Sequence, residues 1–135
     1  MQTIAAGLCI AASIIAVTPA LAQDGAQDGA LFSDPSKITV TGGENVYNAV
    51  CSGCHMPEGA GAIGAGAYPA LAGNENLEYP EYPMFIILNG QKAMPPLGAI
   101  LDDQQVADVI NYIQTGFGNG YAGETTAEDV AASRP

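Results

Sequence analysis

Hydrophobic positions along the chain fall into stretches of different character. The first is a nearly unbroken apolar run from Ile4 to Val17, followed by Pro19 and Ala20-Leu21-Ala22. This pattern predicts a secretory signal over residues 1–22 rather than a folded element, with small residues at the two positions a signal peptidase inspects and Gln23 as the first mature residue. The start carries no Lys or Arg, so an uncleaved membrane anchor is the alternative. The run is short for that, because a spanning helix needs about twenty residues. Cys9 lies inside the run and is read as a passive residue of the signal. A small polar repeat follows, Gln23-Asp24-Gly25-Ala26 then Gln27-Asp28-Gly29-Ala30, and it predicts a flexible leader over 23–40.

Helical periodicity begins after Thr41. Val46, Tyr47 and Val50 fall on one face of a segment that starts at Gly43 and runs into Cys51. From Gly59 to Ala67 the chain is only Gly and Ala apart from Ile63, which predicts a close-wrapping loop. A phosphate-binding loop is excluded there, since no Gly-Lys-Ser/Thr follows and no strand precedes. Tyr68-Pro69-Ala70-Leu71 reads as a rigid extended piece. Met84, Ile87 and Leu88 form a stripe on a helix predicted over Tyr82 to Leu88, stopped by Asn89-Gly90. The next segment holds Ala93-Met94-Pro95-Pro96, which no helix interior accommodates. The clearest helix has Asp102 as its cap, Gln105 completing a capping box, Val106, Val109, Ile110 and Ile113 at helical spacing, and Gly116 at its end. No alternating apolar run points to a sheet, so the predicted class is all-α.

Charge narrows the partners. Fourteen acidic residues face three basic ones, Lys37, Lys92 and Arg134, for a formal charge of -11. Nucleic acid and anionic lipid both need a basic face and are disfavoured. A mature chain of this size is also marginal on a hydrophobic core alone, so a large buried cofactor would supply much of its interior.

The candidate chemistry lies in Cys51-Ser52-Gly53-Cys54-His55. Two thiols separated by two residues and followed at once by histidine form the c-type haem attachment pattern. The thiols add across the porphyrin vinyl groups, the imidazole lies under the iron, and Ser52 and Gly53 leave the haem edge uncrowded. A zinc site needs two more ligands, yet the only other cysteine is Cys9 and His55 is the only histidine. A thioredoxin-like dithiol would not require the histidine and belongs in a strand-helix-strand setting that this segment lacks.

Iron held by one histidine needs a sixth ligand or an open position. Of the four methionines, Met1 leaves with the signal, Met56 adjoins the proximal histidine, and Met84 fits a core stripe. Met94 lies far enough along for the chain to wrap the porphyrin, and Pro95-Pro96 stiffen the loop presenting its sulfur. His55 and Met94 are therefore the candidate metal ligands. Such ligation raises the reduction potential and fills both axial positions, which points to one-electron transfer. Asp102 and Asp103 are better explained by capping than by acid-base work. Tyr68, Tyr79 and Tyr82 are either packing residues or partners for a propionate.

With these motifs in place, residues 41–117 resemble a class I cytochrome c, with residues 118–135 as a C-terminal extension. The resemblance implies a small fold of three or more helices wrapped round one covalently bound haem c. In that family an aromatic residue stands four before the first haem cysteine and a glycine four before that; here they are Tyr47 and Gly43, where the N-terminal helix would cross the C-terminal one. Pro69-Ala70-Leu71 matches the segment whose proline carbonyl accepts a bond from the ligand histidine, which would fix its tautomer and raise its donor strength. Tyr68 to Asn74, Leu88-Asn89-Gly90, Ala93-Met94-Pro95-Pro96 and Thr115 to Asn119 are similar to cytochrome subunits of bacterial periplasmic dehydrogenases. Thr126 to Val130 is similar to the alcohol dehydrogenase type, and Asn45-Val46-Tyr47 with Asn89-Gly90 and Ala93-Met94-Pro95 resembles the small cytochrome subunit of p-cresol methylhydroxylase. The alcohol dehydrogenase subunits usually carry several haems, and this chain has a single attachment motif.

Three functions follow as expectations. The first is a periplasmic electron-transfer cytochrome that accepts electrons from a flavin- or quinone-dependent dehydrogenase and is not itself an enzyme. The second is a general diffusible carrier between a quinol-oxidising complex and a terminal oxidase or reductase. The third is a haem enzyme or gas sensor with an open iron. For the first, the expected docking patch is the loop from Gly59 to Ala67 with Ala93, Pro95 and Pro96.

Overall fold

The computed structural model describes residues 37–64 and 66–135. The expected signal, residues 23–36 of the expected leader, and Ala65 lie outside these residues.

The first helical stretch is continuous but not uniform. Helix α1, Gly43–Val46, passes into a π-helical turn, Tyr47–Cys51, and then into α2, Ser52–His55. The wider turn rotates the residues after it relative to an unbroken α-helix, so His55 does not sit where a plain 3.6-residue repeat would carry it. A two-residue ribbon follows. Strand β1, Ala62–Ile63, pairs antiparallel with β2, Ala67–Tyr68, with Ala62 opposite Tyr68. A 3₁₀ turn, Glu75–Leu77, leads to α3, Glu81–Asn89. Helix α4 is Asp103–Thr115 and α5 is Ala127–Ser133. The class is mostly helical, and the ribbon is a small addition that two residues per strand could not announce in a hydropathy pattern.

Helix α4 is the axis of the core. Its Val106, Val109, Ile110 and Ile113 are buried, as their spacing predicts. Val46 and Tyr47 pack against it from the first helix and Met84, Ile87 and Leu88 from α3, while Val130 of α5 joins the same core. The crossing of α1 and α4 depends on Gly43. A Cβ there would collide with the Asp108 carbonyl and stand 2.6 Å from the Tyr112 Cβ. The glycine thus sets how closely the two helices approach. Tyr47, one turn on, is fully buried and stacks obliquely on Tyr112 and Phe117, with ring centroids 5.5 and 4.9 Å away.

Side-chain bonds to backbone close the remaining gaps. Gln105 Nε2 donates to the carbonyls of both Ile38 and Val40, which ties the start of the described chain to α4. Arg134 donates to the carbonyls of Gly98 and Leu101 and pairs with Asp103, locking the chain end over the start of α4. The segment after residue 117 is therefore packed on the core. Its helix α5 has a Thr126–Asp129 capping box, which the sequence reading did not single out.

The capping box of α4 is as expected. Asp102 accepts from Gln105 N at 2.8 Å, and Asp102 N donates to Gln105 Oε1 at 2.9 Å. Asp102→Ala removes a partner of an otherwise orphaned donor and should lower stability by about 1 kcal/mol. Denaturant unfolding measures it as a shift in midpoint with an unchanged slope.

Candidate functional site

A cavity of ≈ 880 Å³ opens between the first helical stretch, the glycine-rich loop, α3, the Met94 loop and α4. Apolar side chains such as Val50, Leu71, Leu77, Ile87, Val109 and Ile113 form much of its wall. Cys51, Cys54, His55, Pro69 and Met94 all line it. The structure thus brings together every candidate site residue from segments up to forty-three positions apart (Cys51 to Met94).

His55 is almost fully buried, and its ring is fixed by one bond. Its Nδ1 lies 2.9 Å from the Pro69 carbonyl oxygen. A carbonyl oxygen only accepts, so Nδ1 carries the proton and donates. In the neutral ring the lone pair is then on Nε2, the nitrogen available to a metal. The Pro69 carbonyl is itself held by its surroundings. Gly61 has φ +66° and donates its N–H to the His55 carbonyl at 3.0 Å. A Cβ on Gly61 would collide with the Tyr68 carbonyl and stand 2.6 Å from Ala70 N. Leu71 N and Ala72 N both donate to the Gly59 carbonyl, at 2.7 and 3.0 Å. The glycine-rich loop is consequently a clamp that presses the Tyr68–Leu71 strip onto the histidine.

The two cysteines are free thiols of different exposure, Cys51 half-buried and Cys54 exposed. Burial, and then the neighbouring Cys54, push the Cys51 thiol up to about 12. Gly53 between them has open space around it, consistent with an uncrowded edge. Among the described residues no group of three or more His, Cys, Asp or Glu side chains is gathered to hold a metal ion.

Met94 comes in on a tight turn. Gln91 N donates to the Met94 carbonyl and Met94 N to the Gln91 carbonyl, at 3.0 and 2.9 Å. Gly90, with φ +75°, permits this approach, since a Cβ would stand 2.8 Å from both the Met94 carbonyl oxygen and Pro96 N. Met56 and Met84 do not line the cavity; Met84 is buried in the core, and the Met56 carbonyl accepts from the Tyr47 hydroxyl at 2.6 Å.

Sequence reasoning named the ligand candidates but not all of the contacts around them. The ring contacts of Tyr47 with Tyr112 and Phe117 stand directly behind the helix carrying the cysteines. Asn119 Nδ2 donates to the Leu71 and Ile113 carbonyls and so anchors the strip below His55 to α4. Tyr68 and Tyr82 line the cavity, whereas Tyr79 does not. Of the expected docking patch, Gly59 is buried, while Ala60, Ile63, Ala67, Ala93 and Pro95 are exposed and border the cavity.

Burial in the core pushes the Tyr47 hydroxyl from its usual 10 up to about 12, with the Cys51 thiol the next cause. Only the neutral phenol suits the fold, so its contribution is complete below pH 10 and is lost as pH rises through about 12. Thermal melts across that window should fall, and Tyr47→Phe should flatten the fall.

The residues fit a haem: a largely apolar cavity lined by two thiols, by an imidazole with Nε2 free and by the Met94 residue, whose thioether is a second donor for iron. Residues 39–113 match the family described as "Cytochrome C oxidase, cbb3-type, subunit III". The chain belongs to this cytochrome c family. Membership implies a c-type haem. Among curated proteins, this cytochrome is 36% identical to a gluconate 2-dehydrogenase cytochrome c subunit of Pantoea cypripedii, over 68% of this chain and 24% of that protein. It is 37% identical to the 4-cresol dehydrogenase [hydroxylating] cytochrome c subunit of Pseudomonas putida, over 54% of this chain and 58% of that protein. A cytochrome c6 of Alaria esculenta is 30% identical over 62% of this chain and 99% of its own length. The chain thus spans about a quarter of the gluconate dehydrogenase subunit but nearly all of the cytochrome c6. Among the described residues no helix is long and apolar enough to cross a membrane.

Proposed function

We propose that this cytochrome is a periplasmic electron carrier that accepts electrons one at a time from a flavin- or quinone-dependent dehydrogenase and passes them to the respiratory chain. The observation that carries the proposal is the gathering of Cys51, Cys54, His55 and Met94 on one apolar cavity, with His55 held in one tautomer by Pro69. Cys51 and Cys54 would attach one haem covalently, and His55 Nε2 and the Met94 sulfur would be its axial ligands. Bound there, the haem supplies a one-electron ferric/ferrous couple. The remaining tasks fall to the chain itself. Pro69 strengthens His55 as a donor. Apolar walls exclude water from the metal side of the cavity. Short side chains at Ala60, Ala67, Ala93 and Pro95 let a partner approach its edge.

The dehydrogenase as donor is supported by several relatives named as cytochrome subunits of gluconate, alcohol, fructose and 4-cresol dehydrogenases. The general-carrier reading draws support from the cytochrome c6, a whole protein made of little more than this domain. Stopped-flow reduction of the ferric holoprotein separates the two. Rapid reduction by a flavin- or quinone-dependent dehydrogenase with its organic substrate is expected. The rate should fall as ionic strength rises, because a -11 chain steers a basic partner only within about 10 Å at 0.1 M salt. Reduction by a quinol-oxidising complex alone would favour the general carrier.

A further inference from the structure

Acidic and aromatic side chains are concentrated around the start of α3, away from the groups that would hold the haem. Tyr79, Tyr82 and Phe85 are 66, 44 and 60% exposed. Tyr82 N donates to the Tyr79 carbonyl, so the helical turn already includes Tyr79, and spacings of three place the rings along one side of the helix. Exposed rings of this size in sequence-neighbouring positions are a feature of protein-binding surfaces, where Tyr and Phe are enriched and a few such anchors carry most of the affinity.

The acidic part is a cleft of ≈ 430 Å³ on the neighbouring side of the same turn. Its exposed rim carries Glu78, Glu81, Glu124 and Asp129, and Met84, Gln114 and Thr125 lie beneath. Gln114 is 2% exposed; its Nε2 donates to the Leu77 carbonyl, while its Oε1 has no donor. The hydroxyl of Thr125, 8% exposed, also lacks a partner. The carboxylates are not gathered closely enough for a metal ion. Spread carboxylates above an unpaired amide oxygen suit a larger cation with several N–H donors. A guanidinium or ammonium on a side chain has that chemistry, and guanidinium also stacks on aromatic faces. Among the described residues no basic side chain lines this cleft: Lys37 bonds the Ala99 carbonyl, Lys92 lines the large cavity and Arg134 is engaged at Asp103.

We infer that the start of α3 is an anchoring surface for the partner protein, in which Tyr79 and Phe85 receive an apolar patch and the cleft rimmed by Glu78, Glu81, Glu124 and Asp129 receives an arginine or lysine side chain. The inference deepens the proposed function and rests on it for the partner's identity. Tyr82 links the two regions, since it is part of the aromatic row and also lines the large cavity. A partner held on α3 therefore lies beside that cavity. Charge selects the occupant. A second copy of this chain would bring carboxylates against carboxylates, whereas a basic protein surface is complementary.

The test uses the matured full-length holoprotein and two double variants, Tyr79→Ser with Phe85→Ser and Glu78→Gln with Glu81→Gln. All four side chains are exposed, so the haem spectrum and melting midpoint report whether either variant is misfolded. The tripeptide amide Arg-Phe-Arg, a cation that carries guanidinium N–H donors beside an aromatic ring, serves as the probe. NMR titration should perturb resonances of residues 78–85 and 124–129, and both variants should weaken its binding at least about tenfold. Perturbations confined to the loop around Met94, or equal affinity for the variants, would overturn the inference. Concentration-dependent dimerisation that the aromatic variant abolishes would instead assign the surface to self-association and overturn it too. With a dehydrogenase that reduces the wild type, both variants should lose at least about tenfold in second-order rate. Equal rates would overturn the inference while leaving the proposed function standing. Failure of every dehydrogenase to reduce the wild type would defeat the proposed function, and the cation titration would still decide whether the surface binds a cationic apolar ligand.

Discussion

Replacing both Cys51 and Cys54 by alanine is expected to yield a chain with no covalent haem and little folded structure. The reason lies in the size of the space those cysteines border. It measures ≈ 880 Å³ and is walled largely by apolar side chains that also belong to, or pack on, the core. A single Leu→Ala cavity already costs about 3–5 kcal/mol, while a whole domain is stable by only about 5–15 kcal/mol. A much larger apolar space left to water exceeds what α1, α3 and α4 gain from one another. A cofactor bound only by the folded state supplies the difference by mass action, and a covalent one cannot dissociate. Far-UV circular dichroism should show most helix lost in the double variant. A well-folded variant melting cooperatively without haem would contradict this reading.

Met94→Ala should separate ligation from packing. Met94 lines the cavity and is only partly buried, so its loss is expected to alter the metal more than the fold. The ferric holoprotein should become high-spin or water-ligated, and its reduction potential should fall, since a thioether favours the ferrous state. Met84→Ala is the control. Met84 is 3% exposed in the core, and its truncation should cost about 2–5 kcal/mol with the spectrum unchanged. Absorption spectra together with denaturant midpoints check both. Identical spectra for the wild type and Met94→Ala would remove Met94 from the proposed ligands.

The legible features were those carried by side-chain identity at fixed spacing. The Cys51–His55 motif needs no tertiary context, and the stripes on α3 and α4 follow from a 3.6-residue period. The Asp102–Gln105 box is equally local. Gly43 and Tyr47 were placed at the helix crossing by family resemblance, and the collision a Cβ would meet at Asp108 supplies the physical reason. Most of the features that escaped depend on distant backbone, and one on a local shift without a sequence signature. No local pattern marks the π-helical turn at Tyr47–Cys51, which reflects a hydrogen-bond shift within an otherwise ordinary helical sequence. Helix α5 has one buried apolar residue, Val130, and is held by Arg134 reaching back to Gly98 and Leu101. Such bonds span more than thirty residues and leave no periodicity. The roles of Gly61 and Gly90 were hidden for the same reason. A glycine run reads as a loop, but which glycine touches which carbonyl is decided only when Pro69 and Met94 have been brought to the cavity.

The central claim is that Cys51 and Cys54 hold one haem covalently within the cavity shared by His55 and Met94. Intact-mass spectrometry under denaturing conditions tests it most directly, on protein matured in a host that attaches haem to exported chains. The predicted result is the mass of the chain plus one haem, with the bare chain mass for the Cys51→Ala, Cys54→Ala variant. A wild-type protein that releases its haem on denaturation and shows only the bare chain mass would contradict the account.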